Sequence, residues 1–85
     1  MPPLTIKTIT VQYVAMLKEQ SNCSIEVVKT EVLTCMDLYN HLQDQYKFVI
    51  PNSQIRVAVN HEFCSMQKLL QDEDLVIFIP PVCGG

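Results

Sequence analysis

The sequence predicts an α+β fold: a mixed β-sheet, one main helix packed on one face, and a tail protruding from the last strand. Three observations carry this. Residues 6–14 alternate between two faces, with Ile9, Val11 and Tyr13 on one and Thr8, Thr10 and Gln12 on the other, as a half-buried strand requires. Cys35, Leu38, Tyr39, Leu42 and Tyr46 recur at helical spacing and form one apolar stripe. The apolar run 75–79 reads as a central strand, expected to be buried on both faces, and Pro80 and Pro81 end its pairing.

The remaining elements follow in chain order. Residues 15–20 lack β-branching and contain good helix formers, enough for one or two turns. Ser21-Asn22 signals a turn, and residues 23–29 read as a second strand. Thr34 and Asp37 are placed as a partial capping box, starting a helix over 34–46. Pro51-Asn52-Ser53 breaks the chain. Residues 55–60 are a third strand with a polar tip at Asn60-His61-Glu62, and 63–66 continue as a short strand or loop. An acidic turn, Gln71-Asp72-Glu73-Asp74, leads into the last strand and is expected to be solvated. This order is that of a β-grasp, or ubiquitin-like, fold. Without an internal repeat or linker, the reading is one domain over 1–85 with a flexible tail at 80–85.

The chain has only two glycines, and they are its last residues, Gly84 and Gly85. Average usage would scatter about six through a chain of this length. A residue without Cβ is thin and free in φ/ψ, so such an end fits a narrow active site and offers a bare α-carboxylate. A packed strand, a Pro-Pro neck and a side-chain-free carboxylate place the chemistry at the terminus.

Composition excludes other classes. A net charge of −3 and no basic patch with interleaved aromatics argue against nucleic acid. No apolar run approaches a membrane span, and the N-terminus lacks the basic and apolar regions of a secretory signal, so a cytosolic protein with free thiols is expected. Cys23, Cys35, Cys64 and Cys83 form no CxxC or CxxH, and His41 and His61 read as solvated, so no metal site is expected. Cys35 falls on the apolar stripe and reads as core. No nucleophile–base arrangement or glycine-rich phosphate loop is legible, so the chain offers no catalytic centre of its own.

Val57-Ala58-Val59-Asn60, the turn ending at Asp74, and the run from Val76 to Gly85 with its Pro-Pro-Val-Cys-Gly-Gly ending resemble the small subunit of molybdopterin synthase, the MoaD-like sulfur carriers. Residues 14–19 also resemble that family's first strand and helix. The resemblance implies that a ubiquitin-activating-type adenylyltransferase and sulfurtransferase uses ATP to adenylate the Gly85 carboxylate, which becomes a thiocarboxylate. It implies no permanently bound cofactor. The tail, with Gly84 as its flexible segment, then enters the large subunit of a heterotetrameric synthase and gives sulfur to a cyclic pyranopterin precursor. Partner contacts carried over by position are Val14, Lys18, Phe63, Ile79, Pro80, Pro81, Val82 and Cys83. Val14 and Ile79 read equally as core, whereas Phe63, after a polar tip, reads as an exposed anchor. The ending is shared with carriers of other pathways and with ubiquitin-like protein modifiers, and a non-covalent adaptor would not use it at all. Two positions depart from the family. Cys83 stands where a hydroxyl residue is usual. Glu73 stands where glycine is usual in the turn, so a differently shaped turn is expected.

Overall fold

The structure, a computed structural model, describes residues 6–81. Strand β1 (Lys7–Tyr13) is followed by helix α1 (Ala15–Ser21), strand β2 (Ile25–Thr30), helix α2 (Cys35–Tyr46) and a 3-10 turn (Asn52–Gln54). Strands β3 (Arg56–Val59), β4 (Glu62–Cys64) and β5 (Leu75–Ile79) complete the order. The five strands form one sheet in the order β2-β1-β5-β3-β4, with β1 and β5 parallel and the other neighbours antiparallel.

The capping box at the start of α2 is complete. The Asp37 N–H donates to Thr34 Oγ1 at 3.1 Å, and the Thr34 N–H donates to Asp37 Oδ2 at 3.4 Å. Aspartate serves although it is one methylene shorter than the preferred glutamate. The stripe residues Leu38, Tyr39 and Leu42 pack against Ile9, Val11, Val57, Val76 and Phe78 from the sheet, and Cys35 is buried with them. Tyr46 is half-buried. Its hydroxyl donates to Glu26 Oε2 at 2.5 Å, and Tyr13 donates to the same oxygen at 2.6 Å. One carboxylate from β2 thereby ties β1 to the end of α2.

Strand β5 is central, as expected, but it is not buried on both faces. Val76 and Phe78 are fully buried, whereas Leu75, Ile77 and Ile79 are half-exposed. Helix α2 covers one side of the sheet, and the other side remains open among the described residues. Register extends this open face across all five strands. Ile25 pairs with Gln12, Gln12 with Ile77, Ile77 with Ala58 and Ala58 with Phe63, so these residues share one row.

Turns built without glycine require other residues in left-handed backbone. Ala15, Asn22, Lys47, Asn60, His61 and Glu73 all have positive φ. Asn60 and His61 join β3 to β4 in a two-residue hairpin, where both central residues need that conformation. Glu73 has φ 72°, in the left-handed region that glycine occupies without steric cost.

The acidic turn is a structural joint more than a solvated loop. Asp74 is only 8% exposed. Its Oδ1 accepts from Asn60 Nδ2 at 2.9 Å, and its Oδ2 accepts from the Gln71 N–H at 2.8 Å. Asp72 Oδ1 accepts from the Thr8 N–H at 2.7 Å. The carboxylates replace missing ladder partners where the chain enters β5. Among the described residues, no helix is long and apolar enough to cross a membrane.

Candidate functional site at the base of the tail

The end of β5 determines where the tail leaves the body. The strand stops at Ile79 because two prolines follow, neither with an N–H to give the ladder. Pro80 is buried and Pro81 exposed, so the chain crosses from core to surface between them. Val82, Cys83, Gly84 and Gly85, including the predicted reactive terminus, lie outside the described residues.

An apolar groove of about 500 Å³ flanks this exit. Ile79, Pro80 and Pro81 line it together with Val14, Met16 and Val49. Each wall has a local cause. Ala15, at φ 51°, turns the chain sharply from β1 into α1 and sets Val14 and Met16 beside the exit. The other wall is the loop after α2, which the helix holds down. Tyr39 Oη donates to the Ile50 carbonyl at 2.6 Å, and Gln43 Nε2 donates to the Phe48 and Ile50 carbonyls at 3.3 and 3.1 Å. The Val49 N–H donates to Gln20 Oε1 at 3.3 Å, tying the loop to α1. Val49 is thus held 70% exposed at the rim.

The residues expected to meet a partner fall into two adjoining areas. Val14, Ile79, Pro80 and Pro81 come together in the groove. For Val14 and Ile79 the structure takes a middle course between core and surface, since both are half-buried. Phe63 is 73% exposed and does not line the groove; it ends the open-face row through Ala58 and Ile77. Ile79 links the areas, because it alternates with Ile77 onto the open face and also lines the groove. Lys18 is exposed on α1 but lines a separate, more polar depression of about 900 Å³, sharing Ala15 and Met16 with the groove. The smaller groove is the one that adjoins the tail, and it is almost wholly apolar.

Sequence reading missed Val49, Ile77, Ile25 and Val27. Val49 carried a faint signal as an apolar residue two positions before a proline. The other three become one surface only through strand order, since Ile25 and Ile77 are 52 positions apart yet share a row.

Among the described residues, no nucleophile–base pair lines the exit. The strongly perturbed groups lie elsewhere and have structural causes. Burial, then the hydrogen bond to Glu26, raises the Tyr13 hydroxyl far above its usual range. The hydrogen bond to Glu26, then burial, raises Tyr46. Burial alone pushes Tyr39 up to about 12.

The strand order, the single long helix on one face and the neck leaving the central strand define a ubiquitin-like β-grasp protein. The chain belongs to the ThiS family, whose description matches residues 11–85. This agrees with the resemblance drawn from the Pro-Pro-Val-Cys-Gly-Gly ending. Solved structures share the fold at low identity. Small archaeal modifier protein 1 from Methanosarcina acetivorans is 23% identical, covering 95% of this chain and 99% of that one, with a TM-score of 0.76. A Pyrococcus furiosus protein described as molybdopterin converting factor, subunit 1, is 22% identical over 89% of this chain and 99% of that one, with a TM-score of 0.71. A chain of the BexX/CysO complex of Amycolatopsis orientalis is 18% identical over 91% and 99%, with a TM-score of 0.66.

Proposed function

We propose that this chain is the sulfur-carrying small subunit of a molybdopterin synthase, with its own C-terminal carboxylate as the reactive group. The observation that carries the reading is the Pro-Pro neck emerging beside an apolar groove and followed, four residues on, by a Gly-Gly end. The four residues after Pro81 can span at most about 14 Å, so the acceptor site must come close to the groove. A partner buried against the groove and the open face would satisfy that geometry.

The Gly85 carboxylate, with an ordinary pKa of about 3.3–3.7, is ionised and unreactive at neutral pH. An ATP-using partner joins it to AMP and releases pyrophosphate, which creates a good leaving group. A persulfide sulfur then attacks the acyl carbon and expels AMP. The new bond is C–S, and the donor's S–S bond survives in the resulting acyl disulfide. A second donor thiol then cleaves that S–S bond, leaving the thiocarboxylate here and a disulfide on the donor. The tethered sulfur gains effective concentration and orientation in the large subunit's pocket, which supplies the bases and oxyanion donors. The chain's own contribution is to dock, to stiffen the neck and to present the sulfur.

Intact-mass measurement of the chain produced with its activating enzyme should show one oxygen exchanged for sulfur, and transfer should require the large subunit. Persistent absence of that species would remove the proposal. The likeness to a small archaeal modifier protein favours a second reading, in which the same end is joined to lysines. Recovery of the chain in isopeptide linkage to many proteins, without a stable synthase partner, would select it.

A further inference from the structure

Two of the chain's thiols lie on the covered side of the sheet, away from the tail. Cys35 is the first residue of α2 and is fully buried. Cys64 is the last residue of β4, and its ladder partner is the buried Val57, so both lie on the sheet face that α2 covers. Backbone bonds fix the approach. The Cys35 N–H donates to the Lys68 carbonyl at 3.1 Å, and the Met36 N–H donates to the Met66 carbonyl at 2.8 Å. The chain leaving Cys64 is therefore stitched to the helix start within a few residues. Cys64 packs against the core cluster that contains Cys35. Burial first, and then the neighbouring Cys64 thiol, push Cys35 up to about 12. Cys64 is half-exposed and reachable from solvent, whereas Cys35 is not. Cys23 is engaged elsewhere, its thiol facing Ser21 and Glu26.

We propose that Cys35 and Cys64 are an intramolecular disulfide site, closed when the chain meets a hydroperoxide and joining the first turn of the main helix to the edge strand that carries Phe63. The accessible sulfur reacts first. The Cys64 thiolate attacks an oxygen of hydrogen peroxide and the O–O bond breaks. The departing hydroxide takes up the proton that the Cys64 thiol gave to solvent and leaves as water, with Cys64 as a sulfenic acid. The Cys35 sulfur then attacks Cys64, the S–S bond forms, and the sulfenic hydroxyl leaves as water with the Cys35 proton. Two thiols are oxidised and one peroxide is reduced. Little Cys35 is thiolate at neutral pH, so the second step rests on proximity rather than on nucleophile activation.

The test uses the full chain in its carboxylate form, treated with hydrogen peroxide, unfolded, and blocked with N-ethylmaleimide. The expected product lacks two hydrogens, yields a Cys35–Cys64 linked peptide, and reverts with dithiothreitol. Closing a loop of about thirty residues should also raise Tm by roughly 10 °C or more. Accumulation of Cys64 as sulfenic or sulfinic acid with Cys35 fully labelled would overturn the proposal, as would linkage mainly through Cys23 or Cys83. Cys64→Ser, at a half-exposed position, should abolish the oxidative rise in Tm; an equal rise in that variant also refutes it.

Discussion

Glu73→Gly should stabilise this protein, although it deletes a side chain from the turn that enters the central strand. Glu73 sits at φ 72°, where an L-residue with a Cβ is disfavoured by roughly 1–2 kcal/mol. Its exposed side chain makes no hydrogen bond among the described residues, while its N–H donates to the Thr8 carbonyl at 2.8 Å, a bond glycine retains. Glycine loses more backbone freedom on folding, which offsets roughly 0.5–1 kcal/mol of the gain. The balance is a stabilisation of about 0.5–1 kcal/mol, or roughly 2–8 °C in Tm for a domain this size. Charge is the competing explanation, because Glu73 lies between Asp72 and Asp74. Glu73→Ala separates the two: it removes the same charge but keeps the Cβ, and should change stability by less than about 0.5 kcal/mol. Thermal and urea unfolding of the three proteins, followed by circular dichroism, provide the measurement. If Glu73→Ala gains as much as Glu73→Gly, or if glycine gains nothing, the left-handed strain argument fails.

Three further expectations concern the cap, the tyrosines and the docking face. Thr34→Ala removes half of the capping box and should cost about 1 kcal/mol, read as a lower urea midpoint at unchanged slope. The tyrosine hydroxyls of residues 13, 39 and 46 are all raised from 10.0 in the folded state, so above pH 10 the unfolded chain sheds protons that the native chain keeps. Their contribution is whole below pH 10 and falls as pH rises, for Tyr39 up to about 12. Phenolate absorbance should therefore rise together with unfolding, and free titration of all three near pH 10 with native circular dichroism would contradict the burial argument. Phe63→Ala should leave Tm nearly unchanged, because the ring is 73% exposed, yet weaken binding to the large subunit of the proposed synthase by roughly tenfold or more in calorimetry.

Much of this architecture could be read from local pattern. The period-two run in β1, the stripe on α2 and the Thr34–Asp37 cap each express a preference settled within a few residues. The Gly-Gly end is legible in the same way, because an absence of side chains is itself a property of sequence. The Asp74 joint was not legible, because a buried carboxylate looks like a solvated one until the Asn60 amide is brought against it by the meeting of two distant turns. The double burial expected for β5 failed because an apolar run shows that a strand is central but cannot count the layers above it.

The sequence by itself therefore determined the elements and the family, since turn chemistry and periodicity are local. Only tertiary structure decided which exposed side chains act as one surface. Strand order and register set Phe63 in line with Ile77 and Ile25, and a left-handed Ala15 and a pinned loop form the groove beside Pro80. Those relations come from long-range hydrogen bonds and shared burial, and no window of neighbouring residues contains them.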